Sequence, residues 1–471
     1  MDQDFHYYGT YFAARTAGVD DGPAARIARA SNFIDFMHEG DYGGRWKLIA
    51  NTASQSARGG GGRGSHRTVG RLTNPRYTFQ SGKLSVGVAP EDGLWCSYHF
   101  TPGNYDHIDA PSVVENHGAG VAAGLPPFET RTVRDGIAAH AGPMLNRPLS
   151  ALSRSLFADA VACASGTTRL EKILERSLCG DWLLSDGPPD VLDRFGQLLL
   201  GVRAHVIADT WAHQDWSGID QEINTYFDIS NSFGRQAIEY QDLDQDQDSD
   251  GEWKRVVLSS LKHENLQAVP NATSYLGHGW MGHFPDYSFV SYRYKPAWRD
   301  KDEPPIVRNN PEQYRHAFAE LCSLFSRAGG GFFEPDLHQE NLDAAARAIA
   351  APCEIASSEV CPRQASSEHW LSEFGPLSGV PGPDDTIDAQ QEPDERARLA
   401  GLMGEPRFPL SLTRWGEYTV DVSSDLYLFQ IAADYHFQFV KHWLSKHQIR
   451  EFTGSWSRKT GPVDPSVTEL F

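Results

Sequence analysis

The chain lacks the marks of several protein classes. Its six cysteines, at positions 96, 163, 179, 322, 353 and 361, form no Cys-x-x-Cys pair and no close framework. Reduced thiols in a cytoplasmic protein are therefore the expectation, and a disulfide scaffold is not. No stretch approaches the roughly 18 to 20 consecutive apolar residues of a membrane span. The opening MDQDFHYYGT has acids where a secretory leader has lysines, and no apolar run follows. A cytoplasmic location is expected on that ground, with signal-independent export left open. There is no Gly-x-Ser-x-Gly elbow, no Gly-x4-Gly-Lys-Ser/Thr loop, no Gly-x-Gly-x-x-Gly after a strand and no His-Glu-x-x-His. Serine-hydrolase, P-loop, dinucleotide and zincin chemistry thus have no anchor.

Positive charge is also scarce, with 42 basic against 62 acidic side chains and a formal charge of −20 over 471 residues. The deficit is uneven. Between Asp41 and Glu91 no acid occurs, while Arg45, Lys47, Arg58, Arg63, Arg67, Arg71, Arg76 and Lys83 contribute +8; the remainder carries −28. The Gly/Ser-rich middle of this window, SQSARGGGGRGSHRT, holds no regular element. It reads as a mobile basic insertion over 42–90, either a lid for a phosphate-bearing substrate through Arg58, Arg63, Arg67 or Arg71, or a disordered loop. A second loop, 242–252, places Asp246, Asp248, Asp250 and Gly251 in the opening pattern of a calcium loop, but Val257 stands where the bidentate Glu belongs. Calcium binding and a plain solvated acidic loop both remain as readings. Residues 376–398, rich in Pro, Gly and acids, read as a linker.

What the chain has is helical periodicity, a composition able to bury a large core, and 18 histidines. The spacing predicts helices over 5–16, 23–38, 149–164, 168–177, 190–214, 311–328, 340–350 and 424–446, with little strand-like alternation. The fold class is mainly α. Over 190–214 the stripe Leu192, Phe195, Leu199, Val202, Val206 continues into Asp209 and His213, which are costly to bury without partners. His205, Asp209 and His213 recur at i, i+4 and i+8, so they drift only about 80° around the helix and share one wedge of space. A cation site or a buried His/Asp hydrogen-bond network would satisfy them. The glycine-rich tract LGHGWMGHFPDYSF adds His278, His283 and Asp286, a usual transition-metal donor set. Asp2, Asp4 and His6 crowd at the N-terminus, Asp35 closes ARASNFID, and His99 lies in LWCSYHFTPG.

The order of these motifs resembles that of the zinc-dependent phospholipase C and fungal single-strand nuclease superfamily. The shared order is an early His, an Asp closing an Ala-x6-Asp helix, His-Phe, then His-x3-Asp and a further His on one helix, then a His/Asp pair. The opening MDQDFHYYGTYFAAR also resembles that of a bacterial family of unknown function related to it. The resemblance spans about residues 1–295, which implies a metal-binding, multi-helix core with long loop insertions, followed by a helical extension over 296–471. It implies two or three zinc ions. Asp35, His99, His205 and Asp209 would hold one; His213, Asp286 and either His278 or His283 a second; His6, bridging Asp209 and the N-terminal amine a third. Here Met1 replaces the family's Trp, with Asp4 or Asp2 as substitute donors for the amine, and three residues rather than five separate Asp209 from His213.

The implied activity is phosphodiester hydrolysis, with Asp35 and Asp209 as catalytic residues and Asp35 as base or water-orienting group. Substrates would be a phospholipid headgroup, a nucleotide or single-stranded nucleic acid, the −28 body disfavouring long nucleic acid. The alternative from another class is a non-catalytic helical scaffold whose metals stabilise it or bind a partner.

Overall fold

A computed structural model describes residues 1–36, 95–105, 125–126, 128–137, 141–177, 180–219, 221–227, 237–242, 253–257, 277–279, 281, 284–351, 362–377, 408–410, 418–420 and 425–449. Arg58, Arg63, Arg67 and Arg71 of the basic insertion, Asp246, Asp248 and Asp250 of the acidic loop, His283, and the linker beyond residue 377 lie outside the described residues.

The N-terminal segment does not start as the α-helix its spacing suggests. Asp4–Gly9 winds as a π-turn, wider by one residue per turn, and continues into α1 (Thr10–Thr16). Gly9 makes room for this turn, because a Cβ there would lie 2.9 Å from the Phe5 ring. After α2 (Asp21–Phe36) come α3 (Ala151–Ala164), α4 (Thr167–Glu175), α5 (Gly180–Ser185) and α6 (Val191–Ala212). Ser150 caps α3 by accepting from the Ser153 amide at 3.2 Å, the usual role of a serine at that position. Helices α7 (Asn310–Ala328), α8 (Gln339–Ala350), α9 (Pro362–Phe374) and α10 (Asp425–Lys446) follow among the described residues.

The sequence pattern hides a small sheet. Strands β1 (Tyr226–Phe227), β2 (Ala237–Asp242), β3 (Lys254–Val257), β4 (Val290–Pro296) and β5 (Ile306–Asn309) pair antiparallel in the order β1-β4-β2-β3, with β5 also on β4. Strand β4 is buried along nearly its whole length, although Val290, Tyr292 and Tyr294 alternate with Ser291, Arg293 and Lys295, a short strand signal that the helical reading passed over. A two-stranded pair, β6 (Phe408–Leu410) and β7 (Tyr418–Val420), stands apart from it. The molecule is mostly helical with this minor antiparallel component, and no helix among the described residues is long and apolar enough to cross a membrane.

Helix α6 is the axis of the fold. Its Phe195, Leu199, Val202 and Val206 enter one hydrophobic cluster, and its Leu200, Ala204, Ile207 and Trp211 enter a second. A helix apolar on both sides is buried all round, and every residue from Leu198 to Ala212 is buried. Gly201 sets its contact with α2: a Cβ there would sit 2.4 Å from the Ile27 carbonyl oxygen and 2.6 Å from the Ala30 Cβ. Residue 295 falls inside β4, and the later helices α7 and α10 pack directly on α6.

Candidate metal centre

The polar end of α6 turns its ligand-type side chains into the seam between the two clusters. His205 and Asp209 are fully buried and His213 is nearly so. Asp209 is the hub. Its Oδ1 lies 2.8 Å from the Met1 amine and 3.1 Å from His6 Nε2; its Oδ2 lies 3.0 Å from His99 Nδ1 and 3.2 Å from His205 Nε2. Asp35, at the end of α2, reaches His6 at 3.6 Å, His205 at 3.8 Å and His99 at 3.9 Å. On the other side Asp286 Oδ1 meets His213 Nε2 at 2.9 Å, the Met1 amine at 3.2 Å and His278 Nε2 at 3.5 Å.

Three donor groups result: His6, His205 and Asp209; Asp35, His99 and His205; His213, His278 and Asp286, the donor atoms of each lying within 4.8 Å of one another. Of the two alternatives for the last group, His278 is in place, while His283 lies outside the described residues. Asp4 and Asp2 are buried in the first turn but belong to none of the three groups; the position beside Asp209 is held by the Met1 amine.

The hydrogen bonds fix which ring nitrogen faces inward. His205 Nδ1 donates to the Ser31 carbonyl at 2.9 Å and His213 Nδ1 donates to the His99 carbonyl at 2.9 Å. A carbonyl can only accept, so in the neutral rings both Nε2 atoms present lone pairs. The His205 lone pair faces an Asp209 oxygen at 3.2 Å, whereas His213 Nε2 lies 2.9 Å from Asp286 and 3.1 Å from the Met1 ammonium, which donates to it. Acceptor against acceptor in a buried site is repulsive unless a proton or a cation lies between them.

Burial works against the proton. It holds the His205 imidazole below its ordinary range and pushes His99 down to about 3, against the opposing pull of Asp209. His6 is likewise held well below its usual value, by burial and by His205, whose ring stacks on it with centroids 3.9 Å apart. Asp209 stays ionised well below the carboxylate range although burial opposes it, because His213, the terminal amine, His205 and His6 surround it. The terminal amine is raised to about 11, since Asp209, Asp286 and Asp35 outweigh its burial. Imidazoles that burial keeps from protonating, converging on an ionised carboxylate, with the His205 and His213 rings each oriented by a second hydrogen bond, are the donor chemistry of a transition-metal site.

Glycine shapes the second half. Gly277 adopts φ +55, and a Cβ there would run into the Phe100 ring at 2.2 Å. That close approach lets Phe100 stack on His213 at 4.9 Å beneath the turn bearing His278.

Two features escaped the sequence reading. Asp215, two residues past His213, takes the left-handed conformation at φ 73. Its buried carboxylate accepts from Arg131 at 2.8 Å and Arg147 at 2.8 Å, with Arg308 at 3.8 Å. The three arginines hold that carboxyl down at about 2 despite its burial. Arg308 also donates to the Trp211 carbonyl, and Asn146 to the Asp209 carbonyl, so the last turn of α6 is tied down from outside the helix. The second feature is a contact from α10 to the segment that bears His99. Neither has a sequence signal, because the partners are joined only by the fold.

A family model described as a family of unknown function (DUF6765) matches residues 1–444. No curated protein and no solved structure matches the chain.

Proposed function

The chain belongs to the DUF6765 family, a family of unknown function, and from its own donor set we propose that it is a zinc-dependent phosphodiester hydrolase of the phospholipase C or single-strand nuclease kind. The observation that carries the reading is the buried lone pair of His205 aimed at an Asp209 oxygen, amid the converging donors His6, Asp35 and His99. A divalent cation between them relieves that conflict.

Asp35, His99, His205 and Asp209 would hold one ion, His213, His278 and Asp286 a second, and His6, Asp209 and the Met1 amine a third. When bound, zinc supplies Lewis-acid activation of water near neutral pH and neutralises charge at a phosphodiester. The chain's carboxylates then divide the remaining work by exposure. The Asp209 side chain is 1% exposed and serves as a shared ligand, whereas that of Asp35 is 29% exposed and is the carboxylate a water or substrate can reach. Asp35 is therefore the group to orient water and accept its proton. A phospholipid headgroup, a nucleotide and single-stranded nucleic acid all present this bond. The second reading, a metal-stabilised scaffold without activity, draws on the full burial of His6, His205 and Asp209, since structural zinc is closed by protein ligands.

Elemental analysis of purified protein and release of nitrophenol from bis(4-nitrophenyl) phosphate test the proposal together. Two or three zinc ions per chain are expected, and Asp209→Asn should cut turnover by more than about 100-fold and lose metal. Protein free of zinc, or unaltered turnover in Asp209→Asn, overturns the hydrolase reading. Stoichiometric zinc with no turnover on lipid, nucleotide or single-strand substrates favours the scaffold.

A further inference from the structure

The helix α10 lies beyond the stretch that the phospholipase C-like motif order covers, yet it touches the backbone of a proposed ligand segment. Fully buried His436 donates from Nε2 to the Ser97 carbonyl at 2.7 Å. Its Nδ1 accepts from Arg203, and Arg203 donates in turn to Asp159 of α3 at 2.6 Å. One residue along, the Tyr98 hydroxyl donates to the Ala433 carbonyl at 2.7 Å. The Tyr98 and His436 rings are also in contact, with centroids 4.9 Å apart.

The segment held in this way has two duties. His99 offers Nδ1 to Asp209, and its carbonyl fixes the tautomer of His213. Downstream, residues 102–104 are tied to 143–146. At 97 and 98, the Ser97 carbonyl and the Tyr98 hydroxyl both bond to α10. Arg203 sits two residues before His205 on α6, so the chain Asp159–Arg203–His436–Ser97 links the helix bearing His205, Asp209 and His213 to the turn bearing His99.

We propose that His436 is a positioning residue of the metal centre, holding the 97–99 peptide so that the His99 ring and the His99 carbonyl both keep their places. This inference rests on the metal reading above. Outer-sphere partners of this kind orient ligands and set metal affinity.

The test is competition of the zinc-loaded protein against a chromophoric zinc chelator. His436→Leu, which removes donor and acceptor together, should weaken zinc about 10- to 100-fold, and His436→Gln, which keeps one of each, should recover part of the loss. Tyr98→Phe is a mild change that removes the second tie; it should weaken zinc several-fold, and it carries the test if His436→Leu does not fold. Trp443→Phe is the control, loosening α10 from Ser155, its partner at 3.0 Å, without touching Ser97; it should bind zinc as wild type does. Wild-type affinity in folded His436→Leu, or in Tyr98→Phe should His436→Leu not fold, overturns the positioning role and leaves the hydrolase reading standing. Equal weakening in Trp443→Phe also overturns it, because the docking of α10 would then be the cause. A wild-type protein without zinc overturns both.

Discussion

Replacing Glu320 by Gln should make the protein more stable in alkali and leave it unchanged in acid. Glu320 of α7 is 3% exposed and accepts from Trp211 Nε1 at 2.6 Å. Burial pushes its carboxyl from 4.5 up to about 7, against the weaker opposing pull of that hydrogen bond and of Arg154. Between these two values the folded protein keeps the proton that the unfolded chain has released. Stability therefore falls as pH rises through the window from 4.5 to about 7 and levels off above it. At about 1.4 kcal/mol per pH unit, the accumulated loss is about 3 kcal/mol. Gln is neutral throughout and its carbonyl still accepts from Trp211. The wild type should match Glu320→Gln near pH 4 and fall about 3 kcal/mol below it near pH 8. Urea unfolding of both proteins across that range gives the difference directly, and other titrating groups cancel in the comparison. Parallel curves at all pH values would refute the reasoning, since they would mean Glu320 is already ionised when folded.

Two further outcomes follow from packing and from the imidazoles. Gly201→Val should destabilise by about 3 kcal/mol, because its side chain must displace the Ile27 carbonyl or the Ala30 methyl; an unchanged urea midpoint would mean that α2 and α6 are not in close approach. Metal-free protein should lose stability as pH drops below 6.5, since the unfolded chain protonates its histidines there while His99 stays neutral to about 3 and His6 and His205 are held down as well. An acid titration of chelated protein followed by circular dichroism that is flat down to about pH 4 would contradict this.

How much of the site was legible depended on whether the informative spacing was local. His205 and Asp209 share one helix and His213 caps its end, so periodicity alone placed them near one another, and the stripe ahead of them marked the core. Periodicity also placed the helices to within a few residues, as with 190–214 against Val191–Ala212. The π-turn at Asp4–Gly9 was invisible because six consecutive buried residues are too few to separate its period from that of an α-helix. Strand β4, VSYRYKP, was missed although it alternates apolar and polar residues, because so short a run stands alone among helical patterns. Convergence of His6, Asp35 and His99 on Asp209 came from motif order, since nothing in their spacing requires it. The clasp of His436 on Ser97 bridges 339 positions and leaves no trace in either stretch.

The way the donors are strewn along the chain governs when they can meet. They run from His6 to Asp286, and the segment bearing His99 is clasped by a helix that starts at Asp425. Contacts of such long range form late, after the loops between them have closed. A chain still emerging from the ribosome would thus hold isolated histidines and carboxylates with no assembled site until α10 docks. On the proposed metal reading, capture of the ion would be a last act of folding, and loading with zinc would report that α10, not merely the motif-bearing part, has reached its native place.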